Sequence, residues 1–545
     1  MLLVLLTIAV LLGVCFRLVN LDRKLYWHDE TFTSMRISGY HEAEVVQAIR
    51  AAGIVDMGYM QTFQTPHPER RVGDTVKALT IDGPQHPPLY YGMAHFWVKL
   101  FGGSVTSVRL FPVLLSLFAL PAVYWLGWEL FQSHVASAIA TIFLAVSPMH
   151  VLYAQESRQY SLWTVLIVVT GALVLRALRS PVRNHWLLYS LSQAALLYTT
   201  VLSAFVVVSH GVFVLLHQGL RVTQRVWQFL LATLLSLLLY APWIWVFLHN
   251  RRQVKDTLNV GAAKWAFSAA DIVKGLMRLP GRLFFDFNVN PGDPWFYSLL
   301  QWFFTPAILL LTLYAFYYLM RTTSLQVWAF PLTLVGGYGG LMVLQDLLVK
   351  GQGGGGSTTY RYMIPCWIGI QLAISYLLAQ KLTPAITRPT AFWKGVLAVL
   401  VTTSLLSSLA VSQAQLWWSK GSISLEAVYP TAEYINQAEK PILISDAVSW
   451  DLLMMSYLIN PDVKVLAKPI CYVCQLPPEP DFRPNLVKLA TEYTDLFIFP
   501  ESTPAFTAWL ETQPFRLETI PMGDRVSPNI VLKKLVPIRP AISGM

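Results

Sequence analysis

Read as a pattern of apolar and polar positions, the chain is dominated by long apolar runs rather than by amphipathic periods. Eleven runs fall at about 2–20, 107–130, 135–153, 160–178, 184–199, 201–218, 227–249, 296–320, 326–347, 360–380 and 391–412. A hydrocarbon core about 30 Å thick takes about 20 apolar residues in a helix, so these runs have the length and character of membrane spans. A further stretch, His86 to Phe101, is shorter, opens with His86-Pro87-Pro88 and carries His95 and Lys99. It predicts a helix lying in the interface rather than crossing it. The first run lacks a basic n-region and a small-x-small site behind it, so it is expected to be a retained first span.

Charge decides the orientation. With 86–101 at the surface, Arg176, Arg179 and Arg183, then Arg221 and Arg225, then Arg321, then Lys381 and Arg388 all fall in loops on one side. Those loops hold no acid, as cytoplasmic loops should. Were 86–101 to cross as well, the basic loops after it would face outward. The prediction is therefore eleven spans with a cytoplasmic N-terminus. Segments 21–106, 154–159, 250–295, 348–359 and everything after about 413 then lie outside.

Composition agrees. Of the 545 residues 55% are hydrophobic and only 13% charged, about half the charged share of a soluble domain. The 19 Trp and 24 Tyr suit interfacial aromatic belts. The formal charge of +10 is spread over short loops, which is a topology signal and not a nucleic-acid footprint.

After about 420 the pattern turns to short strands and helices. Pro441–Ser445, Val463–Ala467, Asp495–Phe499 and Asn529–Leu532 read as strands, and Ala447–Ile459 and Ala505–Thr512 as helices. Residues 420–545 are expected to form a small extracytoplasmic α/β domain behind a membrane domain of residues 1–412, whose first outer loop is 21–106. Cys471 and Cys474 make a lone CxxC, weak as a zinc motif and more in keeping with loop cysteines or a local disulfide. The glycine-rich run at Gly351–Gly356 lacks the Lys-Ser/Thr ending of a phosphate loop and reads as a flexible connection. No internal repeat is visible, which weighs against a transporter.

Four polar clusters share the outer side in this topology. They are Asp29-Glu30 after the first span, Asp82 to Tyr91 with His86 at its centre, Tyr153 to Ser161, and Thr359 to Tyr362. An ionisable group at membrane depth is a functional-site hypothesis by default. A carboxylate near the apolar boundary can serve as a base for a hydroxyl nucleophile. Arg158 and Arg361 can hold phosphate oxygens through planar forks, and His86 can donate to a phosphate or a sugar hydroxyl. Singly, each has a structural explanation: a solvated helix end for Asp29-Glu30, a snorkelling residue paired with Glu156 for Arg158, a helix start for His86-Pro87-Pro88, an end anchor for Arg361. Together they suit glycosyl transfer from a phosphate-linked donor.

His28-Asp29-Glu30, Asp82 to Tyr91 with its HPPLYY, and Gln155 to Ser161 resemble the bacterial members of glycosyltransferase family 39. These are relatives of protein O-mannosyltransferases and of the aminoarabinose transferase acting on lipid A. The resemblance covers roughly residues 1–220, and Arg361-Tyr362-Met363-Ile364-Pro365 is similar to a later RY-x-x-P element. It implies a GT-C fold, a polyprenyl-phosphate sugar donor and inversion at the anomeric carbon. Asp29 would be the general base with Glu30 in support. His86, Glu156, Arg158, Tyr160, Arg361 and Tyr362 would bind donor phosphate or substrate. The acceptor would be a lipid, a glycan or a protein, and the enzyme would sit in the plasma membrane, among its lipids. No metal-ligand set is assigned. Some GT-C enzymes need a divalent metal, the mannosyltransferase branch need not, and His28 and Glu30 are the side chains that could support one. The α/β tail departs from the beta-trefoil insert of eukaryotic protein mannosyltransferases, which puts a protein acceptor in doubt. The alternatives are a transporter or flippase of lipid-linked saccharides, and a scaffold that presents the C-terminal domain.

Overall fold

The computed structural model describes residues 2–180, 182–254, 268–288, 295–348, 356–383, 390–417, 427–474, 476–477, 482–499, 503–521 and 532–538. The chain divides into two compact units. One comprises Met1–Arg23, Pro84–Met93 and Thr106–Ala414, the other Lys24–Gly83, Ala94–Val105 and Gln415–Met545.

The first unit is a bundle of apolar helices. Among the described residues seven are long and apolar enough to cross a membrane: Val105–Phe131, Tyr160–Arg179, Gln224–His249, Ser298–Thr322, Leu325–Leu348, Tyr360–Leu382 and Thr390–Gln413. A bent pair, His134–Val146 with Pro148–Ala154, brings the number to eight. The other three of the eleven runs form the shorter helices Leu2–Leu18, Arg183–Leu197 and Ser203–His217. This is a polytopic helical membrane protein. After the His86-Pro87-Pro88 opening comes a helix of 13 residues, Leu89–Phe101, about 20 Å long and too short to span. Glu129, near the end of Val105–Phe131, accepts from Arg176 at 3.1 Å and Arg179 at 2.8 Å. The ends of Val105–Phe131 and Tyr160–Arg179 are thereby pinned side by side.

The bent pair turns by 55°, and the sequence explains why. Pro148 has no amide proton, so the Leu144 carbonyl loses its helical donor. In hydrocarbon such a group must find a partner within the protein. Arg17 supplies it: its guanidinium donates to Leu144 O at 3.0 Å and Ala145 O at 2.6 Å, and also to Gly13 O in its own helix at 2.8 Å. Ser408 Oγ donates to the next carbonyl, Val146 O, at 2.7 Å. Gly13 is what lets the two helices approach, because a Cβ there would lie 2.4 Å from Ala145 O. The exchange is reciprocal. Gln155, just beyond the bend, donates to Phe16 O at 2.9 Å, Arg17 O at 3.2 Å and Val19 O at 2.9 Å, capping the end of Leu2–Leu18.

The second unit is built on a six-stranded sheet. Its strands are β1 Ile54–Asp56, β2 Pro441–Ser445, β3 Lys464–Ala467, β4 Asp495–Ile498, β5 Phe515–Thr519 and β6 Lys533–Pro537, in the spatial order β1-β3-β2-β4-β6-β5. The centre is parallel, with Leu443 beside Val465 and Phe497, and both flanks are antiparallel. Two of the expected strands match β2 and β4 closely, and 463–467 contains β3. Of the strand expected at 529–532 only Leu532 lies among the described residues, as does only Gly356 of the glycine-rich run.

The domain reading needs correcting in one respect. Residues 24–83, expected in the membrane domain, supply β1 and the four helices His28–Ile37, Glu42–Ala52, Gly58–Thr62 and Val72–Asp82 to this second unit. Val45 and Ile49 from Glu42–Ala52, and Met57, Met60 and Phe63 after it, share a buried core with Leu443, Val465 and Phe497. Those apolar faces need cover, and the sheet provides it.

Candidate active site

In the first unit the bend delivers Gln155 to Tyr160 as a buried polar turn. Glu156 and Arg158 are 1% and 4% exposed, a degree of burial that charged groups show only when they are paired or serve a purpose. Arg158 Nη1 donates to the Tyr91 hydroxyl at 3.1 Å, which ties the HPPLYY segment to the turn. The His86 ring lies 6.0 Å from the Tyr91 ring, and the Tyr160 ring 5.5 Å from that of Tyr153. Leu89 N donates to Tyr198 O at 3.1 Å and Trp243 Nε1 to Pro84 O at 3.0 Å, so neighbouring helices hold the HPPLYY start in place.

Tyr153 is the centre of the charge. Arg361, Glu156, Arg282 and Asp286 all lie within electrostatic range of its hydroxyl. Arg361 sits 5.3 Å over the Tyr362 ring, and the Tyr362 carbonyl accepts from the Tyr338 hydroxyl at 2.6 Å. Arg282 pairs with Asp286 at 3.3 Å and lies 4.9 Å over Tyr360. Two guanidiniums, Arg361 and Arg282, and two carboxylates, Glu156 and Asp286, fall in that range, and a guanidinium fork is the usual partner of a phosphate.

Sequence reading missed Arg282 and Asp286. The signal was present: an Arg-Asp pair at i,i+4, at the end of an amphipathic helix, in the segment 250–295. That helix, Ala269–Arg282, is opened by a capping box between Ser268 and Asp271.

Asp29 and Glu30 belong to the second unit. They occupy the first turn of His28–Ile37, where the helix dipole favours a carboxylate. Glu30 is fully buried and Asp29 half-buried, with Asp29 Oδ1 3.6 Å from His28 Nε2. The His28 ring contacts the rings of Trp27 at 4.3 Å and Trp450 at 4.1 Å. Cys471 and Cys474 form a disulfide. Glu42 with these two cysteines is the one group among the described residues that gathers three metal-type donors. It does not fit a metal: the sulfurs are bonded to each other, and the Glu42 carboxylate already accepts four hydrogen bonds. His28, Asp29 and Glu30 do not form such a group.

Asp82 closes the helix Val72–Asp82, fully buried, accepting from the Glu42 amide. Burial pushes its carboxyl up to about 7, Arg36 and the Glu42 amide pulling down and the Glu42 carboxylate pushing up. The folded protein therefore keeps a proton that the unfolded chain releases near pH 4. Stability from this group is full below about pH 4 and is lost as pH rises to about 7. Asp82→Asn cannot ionise and keeps an acceptor for the amide. Its unfolding free energy should hold level between pH 5 and 8 where that of the wild type declines, the gap at pH 8 being on the order of a few kcal/mol. Equal pH slopes in the two proteins would refute this.

The comparisons with known proteins bear on the same segment. Residues 85–246 match the family model of dolichyl-phosphate-mannose-protein mannosyltransferases, a stretch that holds His86, Glu156, Arg158 and Tyr160. No curated protein sequence matches the chain. Among solved structures the chain is similar to ArnT from Cupriavidus metallidurans bound to undecaprenyl phosphate. The identity is 12% over 98% of this chain and 97% of that one, with a TM-score of 0.49. It is also similar to the oligosaccharyltransferase AglB from Archaeoglobus fulgidus, in complex with an inhibitory peptide and a dolichol-phosphate. There the identity is 13% over 86% of this chain and 64% of that one, with a TM-score of 0.45. A third is the arabinofuranosyltransferase AftD from Mycobacteria, at 13% identity over 94% and 42% of the two chains and a TM-score of 0.43. The family model and these structures all fall in the GT-C glycosyltransferase superfamily, which the motifs resemble.

Proposed function

We propose that this chain is a membrane glycosyltransferase. It moves a sugar from a polyprenyl-phosphate carrier to a hydroxyl of a lipid, glycan or protein acceptor at the outer face of the plasma membrane. The topology belonging to this reading is eleven spans, a cytoplasmic N-terminus and an extracytoplasmic C-terminal unit. The observation that carries it is the buried pair Glu156 and Arg158, with Arg158 donating to the Tyr91 hydroxyl, in a segment that matches a family of lipid-phosphate-dependent mannosyltransferases.

In this reading Arg158 and Arg361, with Arg282, hold the donor phosphate, while His86, Glu156, Tyr160 and Tyr362 shape the pocket. The acceptor oxygen attacks the anomeric carbon and its proton passes to Asp29. The bond from that carbon to the phosphate oxygen breaks, and the lipid phosphate leaves with the electron pair. Glu30 supports the helix turn that carries Asp29.

The test is labelled polyprenyl-phosphate sugar supplied to membrane vesicles holding the full chain. Transfer releases one lipid phosphate for each sugar moved. A flippase would carry label across the membrane and release none, which would overturn the proposal. Arg158→Ala is expected to weaken donor binding by about tenfold to a hundredfold, the worth of a charge-assisted hydrogen bond. A scaffold predicts no change.

A further inference from the structure

The C-terminal part of the second unit does more than cover residues 24–83. Glu42, at the start of the helix Glu42–Ala52, is fully buried. Its carboxylate accepts from Ser449 Oγ at 2.5 Å and from the amides of Tyr472 at 2.6 Å, Val473 at 2.7 Å and Cys474 at 2.9 Å. Four donors on one buried carboxylate fix the loop that the Cys471–Cys474 disulfide closes. The loop presents the Tyr472 ring, and the Trp450 ring stacks on it at 4.5 Å and 12°. Trp450 is held a second way, its indole N–H donating to Asp451 Oδ2 at 3.1 Å. The other neighbour of Trp450 is the ring of His28, at 4.1 Å. His28 in turn lies 3.6 Å from the Asp29 carboxylate.

We propose that Trp450 is a positioning residue for Asp29, acting through His28. This rests on the reading of Asp29 as the base. A base works only where its oxygen meets the acceptor proton, and an error of about 1 Å there can cost on the order of a hundredfold in rate. A side chain on the first turn of a helix otherwise has several rotamers open to it. The ring series Tyr472–Trp450–His28, stacked at the first contact and tilted by 58° at the second, limits His28, and His28 limits the rotamers of Asp29. A tail more than 400 residues away in sequence would thus set the geometry of the first outer loop. Purely structural packing would make a different demand on Trp450: bulk alone, with no coupling to Asp29.

The experiment is a double-mutant cycle on the full chain in vesicles, measuring sugar transfer for wild type, Trp450→Leu, Trp450→Phe, Asp29→Asn and Trp450→Leu/Asp29→Asn. Trp450→Leu is expected to lower kcat by about tenfold to a hundredfold with KM for the donor unchanged. Trp450→Phe, which keeps a stacking ring, should restore most of the loss. In the Asp29→Asn background Trp450→Leu should cost nothing further, because the group it positions is gone. If Trp450→Leu lowers the residual rate of Asp29→Asn by the same factor as it lowers wild type, or raises donor KM instead of lowering kcat, the positioning role is wrong while Asp29 stands. An Asp29→Asn protein as active as wild type would sink the reading of the base itself.

Discussion

Asp29→Asn is expected to lose about 10²–10⁴-fold in sugar transfer, the usual range for removing a general base, with donor binding unchanged. The substitution is nearly isosteric. It keeps the first turn of His28–Ile37 and the backbone carbonyl of residue 29 that accepts from Thr33 Oγ1 at 2.8 Å. It removes only the capacity to take a proton. The donor phosphate in the proposed mechanism is held by Arg158 and Arg361, so a loss in kcat with an unchanged donor KM is the diagnostic pattern. Glu30→Gln serves as the control. Glu30 is fully buried, and its loss should act on stability before it acts on chemistry. Transfer at the wild-type rate in Asp29→Asn, measured at equal protein level in vesicles, would remove Asp29 from the mechanism.

The ease of reading this chain differs sharply between its parts. Long apolar runs need no tertiary information, because the bilayer alone requires helix there. The polar turn at Gln155 to Tyr160 stood out for the converse reason, charge where charge is costly. Other parts depended on contacts that leave little local trace. β1 is three residues long and pairs with β3, Ile54 beside Leu466, so no period within residues 24–83 marks it as a strand. Amphipathic helices there predict only that an apolar face needs a partner, not that the partner lies beyond residue 427. Arg282 and Asp286 were visible as a pair, but nothing in their neighbourhood points to Tyr153. Arg17 is the plainest omission: a lone arginine in the first span whose role becomes clear only beside Pro148.

Arg17→Met should destabilise the protein by about 2–4 kcal/mol and abolish donor binding. Two opposing effects decide the sign. A fully buried guanidinium is costly to desolvate, and methionine removes that cost while filling much the same space. The carbonyls of Leu144 and Ala145, however, remain in place without the donors now at 3.0 and 2.6 Å. Each buried orphan costs about 1–3 kcal/mol, and no water reaches the hydrocarbon to reduce it. The loss should therefore exceed the relief. Donor binding fails with it, because the 55° bend leads straight into Glu156 and Arg158. Pro148→Ala separates the two effects, since alanine returns an amide proton to the Leu144 carbonyl and permits a straighter helix. In the Arg17→Met background it should recover part of the thermal stability in detergent and none of the donor binding. Recovery of both would mean that the bend plays no part in placing the site, and an unchanged melting temperature in Arg17→Met alone would mean that Arg17 does not hold it.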